Sequence, residues 1–194
     1  MRKIYSLTLD LYQTNTYIIH EESSKSCCVI DPGYEANTIL EKLRSLGLTL
    51  DAILLTHGHF DHVMGNAFVT EKWNIPTYIH PDDKGQLERA QQYCQMFGYT
   101  IEQPPLDTLD INDNDVVKFG ESELKVIHSP GHTRGGVCFY SEPDRIIFTG
   151  DSLFAGSIGR TDLPGGDYDA LMESLLTKVT KVDPYSKVLP GHGP

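Results

Sequence analysis

The chain has 194 residues, of which 39% are hydrophobic; this is enough for one sizeable core, and we expect a single domain over residues 1–194. Its formal net charge is −11 at pH 7 and Lys and Arg are scattered, which argues against nucleic acid or an anionic membrane as a partner. No apolar stretch is long enough for a signal peptide or a membrane span, and the four cysteines show no CxxC spacing, so we expect a cytoplasmic protein with reduced cysteines.

The first third of the chain predicts strands followed by a helix. β-Branched and aromatic residues predict strands over 3–9, 16–20 and 26–30. Apolar residues recur at spacings of three and four from 35 to 46, which indicates a helix that ends before Gly47. The wholly apolar run 52–55 is typical of a short strand that is buried on both faces.

Helices and strands are more clearly separated in the rest of the chain. Helices are predicted over 64–73 and 82–97, with a strand over 77–80 between them. Four strands separated by turns follow, at 116–119, 123–128, 136–140 and 145–149. The last elements are a helix over 168–179 and a strand over 187–189. Strand blocks followed by helices predict an α/β fold of two face-to-face sheets with helices outside.

The six residues from His57 to His62 carry three imidazoles and one carboxylate directly after the strand over 52–55. Imidazole and carboxylate are ligands that zinc, iron(II) and manganese accept. One structural tetrahedral ion does not need four ligands from a single segment, and no Cys pair lies nearby. The pattern therefore predicts a catalytic metal site on His57, His59, Asp61 and His62.

Three further candidate ligands follow predicted strands in glycine-containing turns: His132 in PGH, Asp151 in TGD and His192 in PGHG. Taken singly, each is an ordinary turn residue. Together with the cluster they make seven candidate ligands, which suits two ions that share a bridging carboxylate and a water. A water between two cations ionises near neutral pH, so we expect a hydrolase that needs no dedicated side-chain base.

The pattern HxHxDH, then PGH, TGD and PGHG, resembles the metallo-β-lactamase superfamily, and the stretches 150–154 and 159–163 resemble its small glyoxalase II-like hydrolases. The resemblance implies a four-layer αβ/βα sandwich with two mixed sheets. It also implies two divalent ions, zinc first with iron or manganese as alternatives. One ion would be held by His57, His59 and His132, and the other by Asp61, His62 and His192. Asp151 would bridge the ions, and Asp61 would orient the water, so both are the candidate catalytic residues.

The same resemblance implies a small-molecule thioester of the S-acylglutathione class, or a related ester, as substrate. Arg160 occupies the position of a family Lys that binds glutathione, and it is the candidate substrate-binding residue. The chain departs from the family at Asp162 and Pro194, where the family has tyrosines, and it lacks the C-terminal helical domain. It ends two residues after His192, which favours a form truncated at its C-terminus.

Other functions remain open on the same residues. A persulfide dioxygenase, which the stretch 159–162 also resembles, would hold a single iron with His57, His132 and Asp151. Lactonase and phosphodiesterase activities are further alternatives. A metal-binding protein without catalytic activity is not favoured, because it would have lost a ligand and none is missing. Tyr93, Met96, Phe97 and Tyr99 are interpreted as core packing at helical spacing, with an aromatic wall of a cleft as the alternative. The sequence does not indicate an oligomeric state.

Overall fold

The computed structural model describes residues 2–194. Its larger sheet has six strands in sequential order: β1 (Arg2–Leu9), β2 (Thr14–Glu21), β3 (Ser26–Ile30), β4 (Thr49–Leu54), β5 (Thr77–Ile79) and β6 (Leu109–Asp110). The first three strands pair antiparallel, whereas β3 to β6 pair parallel. Because β3, β4 and β5 are parallel, their carboxyl ends meet at one edge of the sheet.

The smaller sheet has five strands in the order β13-β10-β9-β8-β7: β7 (Val116–Phe119), β8 (Ser122–His128), β9 (Val137–Ser141), β10 (Ile146–Gly150) and β13 (Lys187–Pro190). Only the β10 and β13 pair is parallel, so this sheet is mixed as well. A separate two-stranded hairpin follows β10 and consists of β11 (Leu153–Phe154) and β12 (Ser157–Ile158).

The helices are α1 (Ala36–Leu46), α2 (Phe60–Val63), α3 (Asn66–Trp73), α4 (Lys84–Met96) and α5 (Tyr168–Thr177). α1 buries Ile39, Leu40 and Leu43 and ends at Gly47, whose φ of 63° lies in the left-handed region that glycine tolerates. None of the helices within residues 2–194 combines the length and the apolar content that a bilayer crossing requires.

Successive residues of each strand point to opposite faces, and this alternation builds three layers of core. In β3, Cys27 packs against the outer helices, whereas Cys28 faces the other sheet. Phe139 and Phe148 fill the space between the sheets, and burial of a side chain of this size contributes about 2–3 kcal/mol. A third cluster lies under α5. The order helices, sheet, sheet, helix confirms the predicted four-layer sandwich, and the four cysteines are free and buried.

Several predicted elements differ from the structure. The predicted strand over 52–55 begins earlier, at Thr49, and the predicted helix over 82–97 begins with a separate 3-10 turn, Pro81–Asp83. The core interpretation of residues 93–99 was wrong for Met96 and Phe97, which are 71% and 56% exposed. Only one face of α4 is buried, the face that carries Leu87, Ala90 and Cys94. Periodicity alone did not indicate which face of the helix this would be.

Candidate metal centre

All seven candidate ligands lie in segments that follow strand ends, five in loops or turns and two in the short helix α2, and the two sheets bring these ends together. The loop after β4 carries His57 and His59 and continues into α2, which presents Asp61 and His62. The remaining three ligands follow β8, β10 and β13: His132, Asp151 and His192. The larger sheet therefore supplies four of the candidate ligands and the smaller sheet supplies three.

The first ligand group consists of His57, His59 and His132, whose candidate ligand atoms lie within 4.8 Å of one another. His132 Nε2 lies 3.0 Å from His59 Nδ1. His57 Nε2 is buried and has no hydrogen-bond partner. A buried ring nitrogen without a partner is costly unless something else satisfies it, and a cation at the centre of this group would do so.

The second ligand group consists of Asp61, His62 and His192, whose candidate ligand atoms also lie within 4.8 Å of one another. The Nε2 atoms of His62 and His192 are 3.2 Å apart. Asp61 Oδ2 lies 3.4 Å from His62 Nε2 and 3.3 Å from His192 Nε2. Two ring nitrogens and a carboxylate oxygen that converge in this way are a suitable donor set for a divalent cation.

Asp151 lies between the two groups. Its Oδ2 is 3.5 Å from His132 Nε2 in the first group and 3.5 Å from His192 Nε2 in the second, while its Oδ1 is 3.4 Å from His62 Nε2. Asp151 Oδ1 is buried without a hydrogen-bond partner. The carboxylate is therefore in position to reach both groups, as the bridging role requires.

The outward-facing ring nitrogens of three histidines are fixed by hydrogen bonds. His132 Nδ1 donates to the Arg160 carbonyl at 2.8 Å, and His192 Nδ1 donates to the Tyr12 carbonyl at 3.0 Å. His62 Nδ1 lies 3.0 Å from Asp31 Oδ2. A ring whose Nδ1 is fixed in this way directs Nε2 at the centre of the cluster, which is the arrangement found in metal-binding histidines.

The sequence did not indicate the role of Asp31, which appeared there only as part of a turn after β3. Its carboxylate is buried and accepts hydrogen bonds from the Thr56 backbone N–H at 2.8 Å and from Thr56 Oγ1 at 2.6 Å, besides contacting His62. Asp31 thus fixes the start of the ligand loop and the orientation of one ligand. Its contacts lie 25 and 31 positions away in the chain, so no local pattern could have predicted them.

The electrostatics differ between the two groups. Burial, together with the neighbouring imidazoles, lowers the pKa of His57 well below its usual value and that of His59 to about 3, so both rings are neutral at pH 7. Burial also disfavours the cationic form of His62, but Asp61, Asp151 and Asp31 outweigh it and raise the pKa of His62 to about 10. The pKa of Asp61 is below its usual range because His62 and His192 outweigh the effect of burial.

These features fit two divalent cations. The first group offers neutral imidazoles with free lone pairs, and the second group lies in the negative field of Asp61, Asp151 and Asp31. The two buried atoms without partners, His57 Nε2 and Asp151 Oδ1, face the space where the ligands converge. The donor set of oxygen and imidazole nitrogen suits zinc, iron or manganese.

Arg160 is near this centre through its backbone only. Its carbonyl accepts the His132 hydrogen bond, but its side chain is 61% exposed and forms a two-point ion pair with Asp162, at 2.8 and 2.7 Å. This hydrogen bonding lowers the pKa of Asp162 to about 2. The structure therefore does not bring the guanidinium into the ligand cluster.

An aromatic surface borders the centre. Tyr12, whose carbonyl binds His192, packs edge-on against Phe60 with ring centroids 5.1 Å apart. Phe60 lies between two candidate ligands in the sequence and stacks on the exposed ring of Phe97 at 5.1 Å. Leu11, at the tip of the turn between β1 and β2, is 89% exposed. Tyr12 and Phe60 connect this aromatic surface to the ligand cluster, through the His192 hydrogen bond and through the chain between His59 and Asp61.

Two histidines outside the seven candidate ligands lie close together. His80 and His128 stack at 4.1 Å with an interplanar angle of 6°. Asp82 is near enough to complete a group of three. Lone pairs of imidazole lie in the ring plane, however, so two parallel stacked rings do not direct them at one ion. The contact joins the ends of β5 and β8 instead.

The profile of the metallo-β-lactamase superfamily matches residues 9–192, and the chain belongs to this superfamily. A probable metallo-hydrolase of Bacillus subtilis, YqgX, is 38% identical over 184 residues, which cover 94% of this chain and 86% of that protein. The hydroxyacylglutathione hydrolase GloC of Haemophilus influenzae is 33% identical over the same shares of the two chains.

Solved structures agree with this assignment. TTHA1623, crystallised in a di-iron-bound form, has 39% identity and a TM-score of 0.88, over 98% of this chain and 92% of that one. The B3 metallo-β-lactamase BLEG-1 has 35% identity and a TM-score of 0.91, over 99% and 92%. Superfamily membership and the two His/Asp groups identify the chain as a metal-binding hydrolase of this fold.

Proposed function

We propose that the chain is a binuclear metal-dependent hydrolase that cleaves a thioester of the S-acylglutathione class, or a related ester. The observation that carries the proposal is the convergence of six residues in two groups of three, with Asp151 as a seventh within 3.5 Å of both groups. The similarity to GloC supports the thioester class, and the di-iron form of TTHA1623 supports two ions. Zinc is the proposed metal, with iron or manganese as alternatives.

In this proposal His57, His59 and His132 would hold one ion, Asp61, His62 and His192 would hold the other, and Asp151 would contribute to both. With two divalent cations bound, a water at the site would have a lowered pKa and the scissile carbonyl would be polarised. Asp61 accepts a hydrogen bond from Thr14 Oγ1 at 3.2 Å, which fixes its carboxylate. A fixed carboxylate in the second group would orient the attacking water by accepting one of its hydrogen bonds.

The substrate side of the proposal rests on Arg160 and the aromatic surface. The Arg160 guanidinium is exposed, and it can form a two-point pair with a glutathione carboxylate if that carboxylate displaces Asp162. Competition from Asp162 makes this a weak site for glutathione. The apolar surface of Phe60 and Phe97 suits an acyl group with aliphatic or aromatic carbon. We propose a small-molecule substrate and a cytoplasmic location, the latter because all four cysteines are free.

A mononuclear iron persulfide dioxygenase is the second candidate. His57, His132 and Asp151 form a set of two histidines and one carboxylate, which is the ligand set of many non-haem iron oxygenases. His192 and Asp61, which lie 3.3 Å apart in the second group, have no role in such a site and favour two ions.

The test uses protein purified with its native metal, whose metal content is measured first. Hydrolysis of S-D-lactoylglutathione is followed by loss of thioester absorbance, in parallel with oxygen uptake on glutathione persulfide and with hydrolysis of a lactone, a phosphodiester and a cephalosporin. The proposal predicts thioester turnover without oxygen uptake. Two bound ions without thioester turnover would refute the substrate class, and oxygen uptake with one iron would favour the second candidate.

A further inference from the structure

Asp83 is a buried carboxylate that the proposed chemistry does not use. It ends the 3-10 turn Pro81–Asp83 and is 1% exposed. Its Oδ2 accepts hydrogen bonds from the Gly58 N–H at 2.9 Å and from Thr133 Oγ1 at 2.7 Å, and its Oδ1 accepts from the Gly135 N–H at 2.7 Å. All three donors belong to other segments, 25 to 52 positions away.

These donors lie beside the histidines of the first ligand group. Gly58 is the residue between His57 and His59, and Thr133 follows His132 directly. The loop with Gly58 extends from the larger sheet, whereas Thr133 and Gly135 belong to the loop between β8 and β9 of the smaller sheet. One carboxylate thus ties together the two loops that must meet to form this group.

The second ligand group is supported differently. Asp31 contacts His62 and Thr56, as described above. Asp83 has no hydrogen bond to Asp61, His62 or His192 among residues 2–194. Asp31 also reaches the first group, because Thr56 Oγ1 lies 3.1 Å from His57 Nδ1, whereas the hydrogen bonds of Asp83 go to residues next to first-group ligands. A change at Asp83 should therefore affect first the binding of the ion at His57, His59 and His132.

Two glycines allow the turn with Asp83 to approach both loops closely. A Cβ atom on Gly58 would lie 2.8 Å from the Asp83 carbonyl oxygen, and one on Gly135 would lie 2.7 Å from the Asp83 backbone nitrogen. Cβ atoms essentially never lie this close to backbone atoms, so a side chain at either position would push the turn away. The close fit on both sides shows that the turn is wedged between the loops.

The turn itself is held in place. Pro81 restricts its backbone, and His80 Nδ1 accepts a hydrogen bond from the Asp82 N–H at 3.3 Å. The stacked rings of His80 and His128 join it to the smaller sheet. With these supports, the Asp83 carboxylate is in position to set the separation of the two loops.

We propose that Asp83 is a positioning residue that sets the geometry of the first ion site and leaves the second site unaffected. The proposal rests on the metal binding of the proposed function but not on its substrate. Asp83→Asn keeps the shape of the side chain but turns an NH₂ group toward one of the three donors, which breaks at least one hydrogen bond. Outer contacts of this kind change metal affinity by about 10- to 100-fold.

The experiment titrates metal-free protein with Co²⁺ in competition with a chelator and records the visible absorption of each bound ion. Asp83→Asn should lower the affinity for one Co²⁺ ion by about 10- to 100-fold and leave the affinity for the other ion unchanged within about twofold. The spectrum of the retained ion should match that of His59→Ala, in which the first group is broken. Asp82→Asn is the matched control. It removes the same charge from the exposed residue that precedes Asp83, and it should change the affinity for neither ion.

A second pair of variants covers the case in which Asp83→Asn does not fold. Thr133→Val removes one hydrogen bond to Asp83 with little change of shape, and Thr133→Ser retains it. The valine variant should lower the affinity for the same ion, and the serine variant should have the affinity of the unchanged protein. An equal loss of affinity for both ions, or an unchanged affinity for both, would overturn the proposal. Absence of thioester turnover with the expected metal pattern would refute the proposed substrate and leave the role of Asp83 standing.

Discussion

Gly191 is the residue at which a single methyl group should disturb the metal centre most directly. A Cβ atom there would lie 2.2 Å from Asp151 Oδ1 and 2.8 Å from His62 Cε1. The backbone cannot retreat easily, because its N–H donates to the Gly150 carbonyl at 2.8 Å and its carbonyl accepts from the Asn15 N–H at 2.7 Å. The Asp151 carboxylate must therefore move by about 1 Å to regain van der Waals distance.

A displacement of about 1 Å at a catalytic group costs about 100-fold in rate, or roughly 2.7 kcal/mol of transition-state stabilisation. Overpacking of this kind also lowers the free energy of unfolding by about 1–3 kcal/mol. We therefore expect Gly191→Ala to reduce kcat/KM about 100-fold and to weaken metal binding.

The assay measures kcat/KM for thioester hydrolysis, bound metal and urea unfolding on the same preparations. Gly85→Ala is the control, because its Cβ would have no neighbour closer than 3.9 Å and it lies in α4, where alanine is favoured over glycine. A Gly191→Ala protein with wild-type metal affinity and rate would refute the geometry described for Asp151.

Three further predictions concern the bridging carboxylate, the substrate and the alkaline stability. Asp151→Ala should lose bound metal and hydrolysis together, and metal analysis that finds both ions retained at full rate would contradict this. Arg160→Ala should raise KM for a glutathione thioester with kcat unchanged, whereas Asp162→Ala should lower KM because it frees the guanidinium; equal KM values would exclude this site. Burial raises the pKa of Tyr17 to about 12, so the neutral ring stabilises the fold fully below pH ~10, the unfolded pKa, and this contribution is lost as pH rises toward ~12. The loss of unfolding free energy, roughly 2–3 kcal/mol, should be smaller in Tyr17→Phe when urea unfolding is followed from pH 8 to pH 12, and parallel curves would refute the assignment.

The sequence predicted the fold and the clustering of candidate ligands because both depend on local signals. Apolar strands that end in glycine-containing turns predicted where His132, Asp151 and His192 would lie, and the structure brings them next to the loop with His57. The same signals could not predict α2, since a four-residue helix depends on tertiary contacts rather than on its own propensity.

The supporting residues could not be predicted at all. Asp31 and Asp83 have no distinctive spacing, and their roles arise from hydrogen bonds to segments at least 25 positions away. Likewise, Arg160 matched a family position, but its pairing with Asp162 became visible only when the two side chains were placed. Local patterns identify ligands and strand ends, whereas contacts between distant segments determine how rigidly the ligands are held.

The most direct measurement titrates metal-free protein with Zn²⁺ and records bound metal and thioester hydrolysis at each step. If the two sites act together, the rate of hydrolysis should rise as the second equivalent of Zn²⁺ binds. A chelator should then abolish hydrolysis reversibly. Protein that holds two ions and hydrolyses no thioester, or that reaches full activity with one ion and binds no second, would contradict a binuclear thioesterase.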